Sequence, residues 1–255
     1  MYIKEILKID DLKYGDTPKT FDAKQCKKMF RDGWLEEITI SPPPANSSTQ
    51  TRKEIMGMKE NMKNLSDEQK KVYINTDHDT SYYIKEYMSN EDLDWEIEDI
   101  EKIIKSAKHI GRYYKNEFQR PRPRQVAEKL GIDFKYMETE TTDSPAYPSN
   151  HALQAKVVAH YYSSIYPEHK TNLHIMAEKS AQGRVDAGVH YPSDKMAAYQ
   201  VADQAMKFFK YSKLEEDAPI NATGSAVSTN VPVVRKKKNK YEPSALFDLI
   251  KNYAK

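Results

Sequence analysis

Cysteine is almost missing from this chain of 255 residues. The single Cys26 excludes a disulfide framework and any cysteine-based metal cluster. Glycine is scarce as well, 8 in all, which excludes a collagen-like repeat. Long hydrophobic runs are lacking. No stretch reaches the roughly 18 apolar residues that a membrane span requires, and the best one, residues 152–166, is interrupted by Lys156 and His160. No transmembrane segment is therefore expected. No sign of charge dominates, because 40 Lys and Arg face 38 Asp and Glu, a net charge of +2. Without a global field, a partner must be recognised by a local site, and no specific nucleic acid is indicated. The first residues, Met1-Tyr-Ile-Lys-Glu-Ile-Leu-Lys-Ile-Asp-Asp, carry charges where a secretory signal needs an apolar core, so the expected location is cytoplasmic. Alternating strand patterns are few. The chain reads as all-α, and at this length it can bury a substantial core.

Lysine outnumbers arginine 32 to 8, yet Arg112, Arg120, Arg122 and Arg124 crowd into thirteen residues. Where lysine supplies surface charge so freely, a local switch to arginine suggests that the planar guanidinium fork is wanted, and that fork suits phosphate-like oxyanions.

Periodicity and breakers divide the chain. Residues 1–40 read as an N-terminal extension packing on the core, with Phe30, Trp34, Leu35, Ile38 and Ile40 as its apolar contacts. Residues 41–210 form the helical body, opened by the breaker Ser41-Pro-Pro-Pro-Ala-Asn-Ser-Ser. Within it, apolar spacings of three and four predict helices over 51–65, from Ser66, over 81–88, from Asp92 or Asp94 to 117, and over 124–130, 150–166, 168–187 and 193–210. Trp95, Ile97, Ile100, Ile103, Ile104, Ala107, Ile110 and Tyr114 mark the apolar stripe of the longest, which Pro121 and Pro123 stop. Residues 211–242 read as a flexible linker ending near the basic run 235–240. Residues 243–255 read as a short amphipathic helix that docks on this protein's own body or on a partner.

Three segments concentrate phosphate-binding and proton-transfer residues at helix ends. The first is Lys115-(six residues)-Arg122-Pro123. The second, Pro148-Ser149-Asn150-His151, opens a helix, where Ser149 is an N-cap candidate and the free N–H groups favour an anion. The third is Arg184-(five)-His190-(three)-Asp194. Asp194 either caps the next helix or holds the His190 ring in one tautomer, leaving the other nitrogen free to attack. From this composition each pattern is expected on the order of 0.02 to 0.05 times, and all three together on the order of 10⁻⁵.

In this order the three segments resemble the signature of the type-2 phosphatidic acid phosphatase/vanadium haloperoxidase (PAP2) superfamily. The likeness is greatest to soluble class A bacterial non-specific acid phosphatases and runs from Pro42 to Phe209. It is carried also by Pro42-Pro-Pro-Ala-Asn-Ser, Tyr147-Pro-Ser-Asn-His, Gln182-Gly-Arg-Val and Gly188-Val-His. The resemblance implies an all-α bundle whose three segments meet at one phosphate pocket. It further implies that His190 is the nucleophile, Asp194 orients it, and His151 protonates the leaving alcohol and later activates water. Lys115, Arg122, Arg184 and the backbone near Ser149 and Asn150 would hold the phosphoryl oxygens. The implied activity is hydrolysis of small-molecule phosphomonoesters with no metal and no cofactor, and a homo-oligomer is compatible with the sequence. The family's Gly before the histidine of the second segment is Asn150 here, which is expected to narrow the pocket. Its Ser before the third-segment arginine is Gly183, which removes a hydroxyl. Two other readings fit the same residues: a vanadate-dependent haloperoxidase, and a scaffold or particle-associated protein that keeps the fold without catalysis. High Lys, Asn and Tyr with low Arg point weakly to an AT-rich, viral type of genome. His78, His109, His160, His169 and His174 show no metal-ligand spacing, and the acidic stretch Glu138, Glu140, Asp143 reads as a solvated loop.

Overall fold

The computed structural model describes residues 9–15 and 20–210. The linker and terminal helix expected over 211–255 lie outside the described residues. Eight helices of at least seven residues carry the body. They are α1 (Thr49–Lys63), α2 (Asp67–Asp77), α3 (Tyr82–Asn90), α4 (Ile97–Phe118), α5 (Pro123–Lys129), α6 (Asn150–Ile165), α7 (Lys170–Asp186) and α8 (Pro192–Ala205). Single helical turns stand at Ala23–Cys26 and Trp34–Glu37. Among the described residues there is no strand, only one isolated antiparallel bridge between Phe30 and Phe209. The fold is all-α.

α6 is the central helix. Ala152, Leu153, Ala155, Val157, Val158 and Ala159 are all fully buried, so apolar residues point in nearly every direction, as a helix surrounded by others requires. α4, α7 and α8 pack around it. α4 presents the apolar stripe that its spacing predicts: Ile100, Ile103, Ala107, Ile110 and Tyr114 are buried on its inner side. Ile97 departs from that expectation. It is 43 % exposed and faces a cavity instead of the core.

Helix ends follow local chemistry. Ser66 and Gln69 form a reciprocal capping box at the start of α2. α4 starts at Ile97, later than expected, because Asp92 takes a positive φ of 53° and Trp95 turns into the core before the helix begins. It ends where Gln119 takes a φ of 49° ahead of Pro121 and Pro123. Phe21, Trp34 and Tyr113 cluster ring against ring, with Cys26, Phe30 and Ile38 buried in the same core as α4 and α6. Leu35, by contrast, is exposed.

Candidate active site

The three segments converge. The link between the second and third is direct: the Ser149 N–H donates to the Asp194 carbonyl at 3.1 Å. The first segment grips the loop leading to the second, as Lys115 Nζ donates to the Pro145 carbonyl and Arg122 Nε to the Ser144 carbonyl at 2.9 Å.

The third segment owes its spacing to backbone geometry. α7 ends at Ala187, and Gly188 takes a φ of +72°, a conformation that favours glycine. The chain then folds back so that the N–H groups of Val189 and His190 both return to the Arg184 carbonyl, at 3.2 and 3.3 Å. This fixes His190 one reversed turn from Arg184. Asp194 follows in the first turn of α8, where its Oδ2 accepts from the Tyr191 N–H at 2.9 Å and faces His190 Nδ1 at 3.1 Å. Asp194 therefore both caps the helix and holds the ring.

The tautomer of His190 follows from its partners. Arg122 Nη1 lies 2.9 Å from His190 Nε2, and a guanidinium can only donate. Nε2 must accept, so the proton sits on Nδ1 and is donated to Asp194. The lone pair of Nε2 is thus directed at Arg122, a residue that lines the cavity as His190 does. Burial, followed by the charges of Arg122, Lys115 and Arg184, drives the His190 pKa well below its ordinary value, and the ring is neutral at pH 7.

The cations are themselves buried. Lys115, Arg122 and Arg184 are 2 %, 3 % and 0 % exposed. Desolvation and then Arg122 lower the Lys115 pKa well below the usual lysine range. Arg122 is pushed down to about 10 by burial and by Arg184, and stays charged at neutral pH. Three cations this close, partly desolvated, form a site that gains from receiving an anion.

A cavity of about 670 Å³ opens on this cluster. His190, Lys115, Arg122, Asn150 and His151 line its inner end, and α4 forms one wall outward through Arg112, Lys108, Lys105, Ile104 and Ile97. Ser149 and Asp194 stand behind the wall. Ser149 is 1 % exposed, and its hydroxyl accepts from the Ala152 N–H at 3.4 Å as the cap of α6. Arg184 also stands behind the wall. Its Nη1 donates to Asp77 Oδ1 at 2.5 Å and its Nη2 to Thr141 Oγ1 at 2.9 Å.

Asp77 and Arg120 are site residues that the motifs do not contain. Asp77, the last residue of α2, accepts from Arg184 and from the hydroxyls of Thr139 and Thr141. Burial alone would raise its pKa; Arg184 and the two hydroxyls outweigh that and hold the carboxyl below the ordinary range. The Asp77 carbonyl accepts from His151 Nε2 at 2.8 Å, so that nitrogen carries a proton. The His151 pKa is driven well below its ordinary value by burial and then by Arg184. Arg120 donates to Asp194 Oδ1 at 2.6 Å and to Ser193 Oγ at 2.8 Å, and lies 3.8 Å over the Tyr191 ring. Its signal is the tandem Arg-Pro pair, masked by the absence of a lysine seven residues earlier. His78 and Asp143, both solvent-exposed as expected, also border the cavity.

Both departures from the family pattern have a steric account. The Asn150 carboxamide does not simply narrow the cavity, because it is packed onto Gly111 of α4. Gly183 lies where α2 crosses α7: a Cβ there would meet Val72 Cγ1 at 3.1 Å and the Tyr73 backbone at 3.6 Å. A serine at 183 would require the Val72 side chain to give way by a few tenths of an ångström.

Among the described residues no three His, Cys, Asp or Glu side chains converge in a group that could hold a metal ion, and no helix is long and apolar enough to cross a membrane. No curated protein matches this chain. A solved structure described as the first transmembrane PAP2-type phosphatidylglycerolphosphate phosphatase, from Bacillus subtilis, is similar at 15 % identity with a TM-score of 0.33, over 72 % of this chain and 82 % of that one. Residues 104–202, which hold all three segments and the helices α5 to α7, match the model described as the PAP2 superfamily.

Proposed function

We propose that this chain is a phosphatase that hydrolyses phosphomonoesters through a phosphohistidine on His190, in the manner of the class A acid phosphatases and without a metal ion. The observation that carries the reading is the state of His190: neutral, its Nδ1–H held by Asp194, its Nε2 lone pair accepting from Arg122 at the wall of a cavity that Lys115 also lines. Nε2 attacks phosphorus in line, the new N–P bond forms, and the ester P–O bond breaks. Arg122, released from Nε2, and Lys115 take up the equatorial oxygens, with Arg184 supporting them through Asp77 and Thr141. His151, in its imidazolium form and oriented by the Asp77 carbonyl, gives one proton to the departing alkoxide and becomes neutral. His151 then accepts a proton from water, whose oxygen attacks phosphorus and breaks the N–P bond. Orthophosphate leaves and both histidines return to their starting states.

The test is steady-state hydrolysis of p-nitrophenyl phosphate from pH 5 to 8 with EDTA present, wild type beside His190→Ala, with and without orthovanadate. Vanadate adopts the trigonal bipyramid of the transferring phosphoryl group, so it should inhibit strongly. Turnover should survive EDTA, fall with vanadate and vanish in the variant. Because His151 must be protonated and burial lowers its pKa well below the ordinary histidine value, kcat/KM should fall as pH rises across the range tested. Wild-type-like turnover in His190→Ala, or a rate still climbing above pH 8, would sink the assignment.

A further inference from the structure

Asn150 is the first residue of α6 and lines the inner end of the cavity beside Lys115, Arg122, His151 and His190. Its carboxamide is packed on α4 at a point where the helix has room only for glycine. A Cβ built on Gly111 would stand 1.7 Å from Asn150 Oδ1 and 2.9 Å from its Cγ. Oδ1 is fully buried there and has no hydrogen-bond partner. The absence of a side chain at position 111 therefore creates a seat, and the carbonyl end of Asn150 occupies it against the glycine Cα, a contact that suits an oxygen better than an N–H group. With Oδ1 seated, Nδ2 is the carboxamide atom left on the cavity side.

The surroundings give that nitrogen a purpose. Another cation at the inner end would add to the mutual repulsion among Lys115, Arg122 and Arg184. A neutral N–H donor adds a hydrogen bond to an oxyanion without that repulsion. The unpartnered Oδ1 also shows that Asn150 is not held there by a hydrogen bond of its own, so the fold tolerates a buried orphan acceptor at this position.

We propose that the Asn150 side chain, seated by Gly111, is a neutral donor to a tetrahedral oxyanion in the cavity, and that Gly111 is its positioning residue. The inference rests on the phosphatase reading for the identity of the anion, but it concerns binding and not turnover. It predicts a specific non-additivity. Asn150→Gly removes the donor, and one hydrogen bond to a charged group corresponds to about a 10- to 100-fold loss of affinity. Gly111→Ala fills the seat and pushes the carboxamide into the space for the anion, so it should also weaken binding tenfold or more. In the double variant no carboxamide is left to expel, and the added Cβ meets only Leu153 Cδ2 at 3.2 Å, which gives way by a few tenths of an ångström, so adding Gly111→Ala to Asn150→Gly should change binding less than twofold.

The experiment is titration calorimetry of wild type, both single variants and the double variant with inorganic phosphate and with orthovanadate, beside p-nitrophenyl phosphate turnover. Thermal unfolding of each variant checks folding, and Asn150→Asp serves as a near-isosteric second probe that should abolish anion binding. Binding that weakens in both single variants and is insensitive to Gly111→Ala in the Asn150→Gly background supports the proposal. Equal loss from Gly111→Ala in both backgrounds, or wild-type affinity in Asn150→Gly, overturns it. If wild type binds vanadate without turning over substrate, the catalytic reading fails while the donor assignment is still decided by the cycle. If wild type binds neither anion, both fail.

Discussion

The two histidines of the cavity are held in opposite ways. His190 is fixed by its own neighbourhood: Gly188 turns the chain, the Arg184 carbonyl anchors the turn, and Asp194, four residues on, grips the ring. His151 is fixed from a distance, by the carbonyl of Asp77 at the end of α2, 74 residues earlier. One end of the site is therefore a local device that folds with the α7–α8 turn, and the other exists only when α2 has docked against α7. The proposed nucleophile is built from nearby chain, whereas the proposed acid is built from tertiary packing. The two ends should fail differently when disturbed.

The largest difference should come from the carboxylates. Asp194→Asn removes the acceptor that holds the Nδ1 proton, and turnover should fall about 10²- to 10³-fold while substrate affinity changes little. It also leaves the buried Arg120 with only the longer contact to Glu54 at 3.6 Å, so stability should drop by about 1 to 3 kcal/mol. Denaturant unfolding beside kcat and KM would show both. Asp77→Asn should be milder, about tenfold in kcat, because the carbonyl that holds His151 remains and only the grip on Arg184, Thr139 and Thr141 weakens. If Asp77→Asn proved as severe as Asp194→Asn, the distinction between a local and a distant device would collapse.

The smallest effect is on stability against pH. His190 and His151 both have folded pKa values below their ordinary value, so below pH 6.5 the unfolded chain takes up protons that the folded chain refuses. Stability must then be lost as the pH falls, and His174, pushed down to about 4, acts in the same direction. The melting temperature should drop steadily from pH 7 to pH 5. His190→Gln should flatten that slope more than His151→Gln, since His190 is 2 % exposed and His151 is only half-buried. A melting temperature that rises on acidification would contradict the neutral assignment of both rings.

The same contrast governs what is legible in the sequence. The helices are legible because apolar spacing and breakers are local. Ser66, Ser149, Pro121 and Pro123 mark boundaries within a few residues of where they fall. The third segment is legible for the same reason, since Arg184, His190 and Asp194 are joined by one turn. Asp77 is not legible. It is one of many aspartates, at the end of a helix with no motif, and its function arises only from where α2 lies. Arg120 is hidden by its resemblance to Arg122: the two sit two residues apart across a Pro, yet one faces the cavity and the other turns behind it to Asp194. Gly111 carries no signal at all, because a glycine within a helix shows its use only through what it lets come near.

The crossing of α2 and α7 at Gly183 has a mechanical consequence. Arg184 is the very next residue, and Asp77 stands one turn beyond Val72 and Tyr73 on the helix that presses against the glycine. The contact acts as a fulcrum of minimal thickness, with the guanidinium on one lever and the carboxylate on the other. A Cβ inserted at 183 must be absorbed by a shift of a few tenths of an ångström at Val72, on the same helix whose end gives Arg184 its carboxylate and His151 its carbonyl. A packing detail outside the cavity thus sets the gauge to which both halves of the site are adjusted.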